Sequence, residues 1–354
     1  MPETSSDGQM IPDIVRASHI EFFVSNLEKS RDFYVDTLGF VETESSRSQI
    51  YLRGLEDRSH HCLILTKNEG KPAVSHIAFR VRSDEDLDLV AGLLGKEKLP
   101  YTWLKHLERE EKGLRGRVIR AQDPFGFPLE FFREMEDVEW LHQRFDRHLR
   151  AKIMRIDHVN MFSTDVAKTT EWYMKNLGFY LSEYTETEER KPKYWATWLR
   201  RKPTVHDIAF MTGKGPRVHH AGFVVSQKDS ILDCADVLAS RGYLKNMERG
   251  PGRHGISNAF FLYLRDPDGH RIELYTGDYL SADPDWKPLR WKLSDPQRQT
   301  FWGAPAPDSW FREASDVVSV MTGKRVRTKE PKGGNPIFSS VTEKRRKLKV
   351  NLVH

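Results

Sequence analysis

Four short, largely apolar runs of this chain each open with a histidine. The runs are His19–Val24, His76–Val81, His158–Phe162 and His220–Val225. Runs this short and apolar each predict a β-strand, in which successive side chains point to opposite faces. Helical patterning follows, for example over Leu27–Thr37 and Lys228–Ser240, and then come further strands broken by Gly- and Pro-marked turns. This predicts four βαβββ modules. Between the second and third, Val138, Leu141, Phe145 and Leu149 recur at helical spacing, which predicts a connecting helix over 134–150.

The modules pair into two copies. Ser18-His19-Ile20-Glu21-Phe22-Phe23 matches Asp157-His158-Val159-Asn160-Met161-Phe162, 139 residues later. Ser75-His76-Ile77-Ala78-Phe79 matches His219-His220-Ala221-Gly222-Phe223 at an offset of 144, and Asp123-Pro124 through Glu130 matches Asp266-Pro267 through Glu273 at 143. Near-constant offsets over three matches indicate tandem duplication. The fold class expected is α+β, with four βαβββ modules paired into two open-barrel domains. The boundaries expected are a flexible tail over 1–13, a first domain over 14–133, the connecting helix, a second domain over 151–310, and a partly mobile extension, a candidate lid, over 311–354.

Composition narrows the class. A chain of 354 residues with 38% hydrophobic and 30% charged content fits a soluble two-domain protein. No apolar run reaches the ~20 residues that span a bilayer. The polar start does not read as a secretory signal. Two cysteines, Cys62 and Cys234, cannot build a disulfide framework, so a cytoplasmic protein is expected. Ten Lys/Arg and two Glu lie from Lys324 onward; against +5 for the whole chain, that leaves about −3 before it. The basicity belongs to a tail containing Lys344-Arg345-Arg346-Lys347, which reads as a solvated extension rather than a nucleic-acid surface.

The second copy carries the sharper chemistry. Alternation puts His158 on a face with Asn160, His220 with Gly222 and Val224, and Glu273 with Arg271 and Tyr275. A single histidine is as well read as a core residue with a local hydrogen bond. Buried imidazoles and a carboxylate at matched positions on three strands need mutual or metal satisfaction. Two imidazoles and a carboxylate bind one face of a divalent ion and leave the other face open.

These residues, with Gly215-Pro216-Arg217-Val218-His219-His220, Glu248 through Phe260, Tyr263 through Tyr279 and Thr204-Val205-His206-Asp207, give the chain its resemblance. From Asp13 to Trp310 it resembles the type I extradiol ring-cleaving dioxygenases of the vicinal oxygen chelate superfamily. Its pattern is nearest to members that act on homoprotocatechuate (3,4-dihydroxyphenylacetate). The resemblance implies metal ligands at His158, His220 and Glu273, an acid–base histidine at His206, and a tyrosine at Tyr263 that hydrogen-bonds the substrate. It implies pocket residues at Asn160 and Trp198, and a carboxylate-binding group at Arg249, His254 and Arg298. It further implies Fe(II), with Mn(II) as the alternative, a catechol and O2 as the small-molecule partners, and a homo-oligomer, a tetramer. The product implied is 5-carboxymethyl-2-hydroxymuconate semialdehyde.

Two departures stand out. The family's second carboxylate-binding arginine is replaced here by Gln299, beside Arg298. In the first copy His19, His76 and Glu130 repeat the triad and His60 aligns with His206, but Glu21 and Arg120 replace Asn160 and Tyr263. The first copy therefore reads as a remnant of duplication that supports the fold. The competing readings are another catechol, a glyoxalase-like isomerase or thiol transferase on the same modules, and a non-enzymatic binding protein.

Overall fold

The computed structural model describes residue 8, residues 10–105 and residues 111–337. The tail residues before Met10 other than Gly8, and the basic run Lys344–Lys347, lie outside the described residues.

Eight strands form the first sheet: β1 (Ile14–Val24), β2 (Val41–Ser45), β3 (Gln49–Arg53), β4 (Leu63–Lys67), β5 (Ala73–Val81), β6 (Tyr101–Trp103), β7 (Leu114–Gln122) and β8 (Pro128–Met135). Their order is β2-β3-β4-β1-β5-β8-β7-β6. The second sheet contains β9 (Ile153–Ser163), β10 (Tyr180–Glu186), β11 (Tyr194–Arg200), β12 (Ile208–Thr212), β13 (Arg217–Val225), β14 (Met247–Arg253), β15 (Phe260–Arg265), β16 (Arg271–Thr276) and β17 (Leu289–Lys292). Its order is β14-β15-β16-β13-β9-β12-β11-β10-β17, with β18 (Ser315–Asp316) pairing to β13. In both sheets an antiparallel seam, β1/β5 or β9/β13, joins two modules. Each seam strand also pairs in parallel with the last strand of a module, as β13 does with β16. The sheets stay open, and the α+β reading with four βαβββ modules holds.

Local chemistry sets the helix limits. Ser83 and Asp86 form a reciprocal capping box at the start of Asp84–Lys96. Asp165 caps Val166–Leu177, which ends where Gly178 turns left-handed at φ 65°. The helix begun at Leu27–Arg31 widens into a π turn over Asp32–Thr37. One apolar core spans both sheets, with Phe40 meeting Phe223 and Phe127 meeting Phe210. No helix among the described residues is long and apolar enough to cross a membrane.

One expectation needs correction. Residues 134–150 are not a connecting helix: after β8 they form an irregular connector with one short 3-10 turn at Phe145–Arg147. Of the four periodic apolar residues only Leu141 is buried, and Phe145 and Leu149 are 77% and 59% exposed. The periodic stripe has no surface to cover, and a helix this short gains its stability from such packing. The connector instead ties back to the loop between β3 and β4, Val138 donating its N–H to Arg58 O at 2.8 Å. The extension over 311–354, expected to be partly mobile, is described only as far as Ile337. Up to there it is held: Lys329 and Gly215 exchange backbone hydrogen bonds of 2.7 and 3.0 Å, and Trp195 Nε1 donates to Asn335 Oδ1 at 3.0 Å.

Candidate active site

The seam of the second sheet positions the predicted triad. Opposite one another lie His158 and Gly222, and also Asn160 and His220. Gly222 is in turn opposite Glu273 on β16. A Cβ at Gly222 would lie 2.3 Å from His158 Cε1 and 2.4 Å from Nε2, so only glycine lets that ring cross the seam. His158 Nε2 then sits 3.0 Å from Glu273 Oε2 and 3.3 Å from His220 Nε2, and His220 Nε2 is 3.2 Å from Glu273 Oε2.

These spacings test the donor set. Ligands at about 2.1 Å from a cation and at right angles to each other lie about 3 Å apart. The three donor atoms match one triangular face of such an octahedron, which leaves three positions for other ligands.

Hydrogen bonds fix the tautomers. His219 Nε2 must donate to Trp310 O, at 2.8 Å, because a carbonyl only accepts. Its Nδ1 is then the acceptor for His220 Nδ1–H, at 2.7 Å. His158 Nδ1 donates to Asp157 Oδ2 at 3.0 Å. Both ligand imidazoles therefore turn an Nε2 lone pair towards the carboxylate of Glu273, an arrangement a cation satisfies. Burial lowers the His158 imidazole, but Asp157 and Glu273 hold it up at about 9, so the proton it carries on Nε2 is the one a cation would displace; burial keeps His219 well below its ordinary value.

Both orienting residues occupy β-bulges. The ladder skips Asp157 on β9 and His219 on β13. Strict alternation would point each away from its neighbour; the extra residue lets both side chains reach the same site.

The triad opens into a cleft walled mainly by aromatic and apolar side chains. Its wall includes the predicted Asn160, Trp198, His206, His254, Tyr263 and Arg298. The His206 ring lies against His158, with centroids 3.9 Å apart, and its Nδ1 has no partner. Burial holds His206 well below its ordinary value, hence neutral. His254 Nδ1 donates to Gln299 O, so its Nε2 accepts the Tyr263 hydroxyl at 2.9 Å. Asn160 Oδ1 is buried without a partner.

The two predicted guanidinium groups differ in placement. Arg298 is in the wall, buried over the Trp195 ring, with Nε and Nη1 unpartnered. Arg249 is not in the wall. It stacks at 4.6 Å on Trp310 behind Tyr263, donates through Nη2 to Gln299 O and Thr300 Oγ1, and leaves Nε and Nη1 unpartnered. Burial lowers both arginines to about 10.

Sequence reasoning missed Trp310, which packs on Tyr263 and anchors the His219 relay. It also missed Glu183, which receives Ser257 N–H at 2.8 Å and Trp291 Nε1–H at 2.6 Å and braces the cleft loop. Trp310 sits in a Pro- and Asp-rich stretch without periodicity. The buried acid at position 183 of β10 was the available signal for the other.

Comparison with known proteins bears on this arrangement. The family model "Glyoxalase/Bleomycin resistance protein/Dioxygenase superfamily" matches residues 16–131 and 155–274. A manganese-dependent 2,3-dihydroxybiphenyl 1,2-dioxygenase of Geobacillus genomosp. 3 is 35% identical over 84% of this chain and 96% of its own length. A metapyrocatechase of Geobacillus stearothermophilus is 30% identical over 87% and 95%. Among solved structures, homoprotocatechuate 2,3-dioxygenase from Arthrobacter globiformis superposes with a TM-score of 0.85 at 42% identity, covering 90% of this chain and 96% of that one. The enzyme of that name from Brevibacterium fuscum, in complex with 3,4-dihydroxyphenylacetate, gives 0.86 at 41%, covering 90% and 98%.

Proposed function

The chain belongs to the glyoxalase/bleomycin resistance protein/dioxygenase superfamily and, within it, to the metal-dependent extradiol ring-cleaving dioxygenases, and we propose that it opens 3,4-dihydroxyphenylacetate to 5-carboxymethyl-2-hydroxymuconate semialdehyde. Both atoms of O2 enter the product.

His158, His220 and Glu273 would hold the ion. Bound there, Fe(II) or Mn(II) supplies Lewis-acid activation of the diol and a common meeting point for diol and O2. His206 is neutral beside the triad, so it accepts a proton from the diol and returns it as the ring opens. Tyr263 turns its hydroxyl hydrogen from His254 to a substrate oxygen, and the His254 Nε2 lone pair is then free to accept at the same end. Asn160 offers its amide to the substrate. Trp195, Trp198, Met211 and Ile256 line the remaining wall and keep water from the reacting ring.

The observation that carries the substrate is the Arg298 guanidinium, buried in the cleft wall with two unpartnered N–H groups. A buried cation with orphan donors suits a carboxylate on the ring's side chain. Arg249, close behind, adds to the positive potential. Gln299 in the wall and the tryptophans favour a second reading, an uncharged aryl- or alkyl-catechol.

The test loads the protein anaerobically with Fe(II) or Mn(II), then follows oxygen uptake and yellow product. The substrates are catechols bearing acetate, propionate, carboxylate, phenyl or alkyl groups. The acetate should give the highest kcat/KM. A phenyl or alkyl catechol outpacing it would replace the substrate proposed, and no turnover of any catechol would end the ring-cleavage reading. We further propose a homotetramer, supported by Trp140, Phe145 and Leu149, which the connector leaves exposed. Light scattering checks this.

A further inference from the structure

The first sheet contains a second convergence of ligating atoms. β1 seats His19, β5 seats His76 and β8 seats Glu130, in the registers that seat the triad. His19 is opposite Ala78, Ala78 is opposite Glu130, and Glu21 is opposite His76. The bulges recur as well, at Ser18 and Ser75. A fourth donor, absent from the second sheet, comes from the segment before β7: Glu111. All four side chains are buried.

We propose that His19, His76, Glu111 and Glu130 form a closed, structural divalent-cation site of zinc type, separate from the active site. The spacings support it. His19 Nε2 lies 2.8 Å from Glu111 Oε1, 3.1 Å from Glu130 Oε1 and 3.3 Å from His76 Nε2. His76 Nε2 lies 3.3 Å from Glu111 Oε2 and 3.7 Å from Glu130 Oε2, the other oxygen of each carboxylate. Four tetrahedral ligands at about 2.1 Å lie about 3.4 Å apart, and two imidazoles with two carboxylates are a donor set zinc accepts.

The surroundings are those of a held ligand set. Glu21, where the active site has Asn160, places Oε2 3.1 Å from His76 Nδ1 and so turns Nε2 inward. Arg120, where the active site has Tyr263, donates to Glu130 Oε2 at 2.7 Å and to Glu111 Oε2 at 2.6 Å and so holds both carboxylates beside the imidazoles. His61 Nε2 reaches Glu111 Oε1 at 3.0 Å. Glu21, Glu111 and Glu130 against Arg120 leave two negative charges uncompensated when the imidazoles are neutral. A divalent cation would balance them in place of two imidazole protons. The fourth donor, Glu111, takes a position that stays open in the triad, and Arg120 covers it, so no diol could enter.

The deciding experiment uses the full chain with Glu273→Ala, which disables the triad. The protein is incubated with Zn(II) alone, desalted and analysed by elemental mass spectrometry. One equivalent of zinc should remain, and adding Glu111→Ala should remove it. A folded Glu273→Ala protein that keeps none overturns the proposal, as does a double variant that keeps as much as the single one. If Glu273→Ala does not fold, the unsubstituted chain should hold two equivalents and Glu111→Ala one; equal stoichiometry for these two overturns it equally. The outcome is independent of ring cleavage, because no substrate is used.

Discussion

Tyr173 of the second repeat donates its hydroxyl hydrogen to Asp123 of the first, across 2.8 Å of buried interface. The partnership is reciprocal: Tyr34 of the first repeat donates to Asp266 of the second at 3.0 Å. Each tyrosine comes from the first helix of its copy and each aspartate from the turn before its last strand. The two copies thus lock together through matching residues of the duplicated sequence.

This lock should respond to pH. Burial, the largest influence, raises Asp123 to about 7, against 3.8 for an ordinary aspartate. The folded state therefore holds the proton more tightly than the unfolded chain. Its contribution to stability is complete below about pH 4 and is lost as pH rises through about 7. Chemical denaturation at pH 5 and pH 8, at fixed metal content, should show Asp123→Asn losing less stability over that range than the unsubstituted protein. Equal losses would contradict the prediction. Tyr173→Phe should cost about 1–3 kcal/mol, since it leaves a buried acceptor short of a partner.

Gly222→Ala should damage the metal site and spare the fold. The new methyl would overlap the His158 ring, and the backbone at this central seam cannot withdraw. Metal affinity should fall about 10–100-fold, the range seen when a ligand's orientation is disturbed. Calorimetric titration with Mn(II) measures it, with circular dichroism as the control for folding. Unchanged affinity would mean that the ring moves aside at no cost.

His206→Asn should separate metal binding from turnover. The residue touches His158 but is not among the three donors of the triad. kcat should drop on the order of 10²–10⁴, as for loss of an acid–base group, with metal content near normal. Loss of the metal instead would make His206 a supporting residue rather than a proton carrier.

Arg298→Leu should change substrate preference rather than rate in general. Charged hydrogen bonds are worth about 1.5–3 kcal/mol, so KM for 3,4-dihydroxyphenylacetate should rise roughly 10–150-fold. A methyl-substituted catechol, which has no carboxylate to lose its partner, should be bound almost as before. Equal weakening towards both substrates in steady-state kinetics would assign Arg298 to the shape of the wall.

The triad was legible because its three residues obey strand alternation and recur with the duplication. The modules were legible for the same reason. What alternation could not show lies where the strands break it. Asp157 and His219 are bulged residues, and a strict period of two points them away from the site they serve. The connector misled differently: Val138, Leu141, Phe145 and Leu149 have helical spacing but no surface to pack on. Glu111 has no periodic context at all. Only the folded chain brings it to His19, and with it the first copy gains a fourth donor that its sequence alone did not suggest.

The bulges have a mechanical consequence. Each ligand histidine and the group that steers its ring are consecutive on one backbone, held by a single peptide unit. Any flexing of the sheet at this seam would carry ring and guide as one body and leave the aim of the ring nitrogen unchanged. A steering group borrowed from a distant loop would drift out of phase with every such movement.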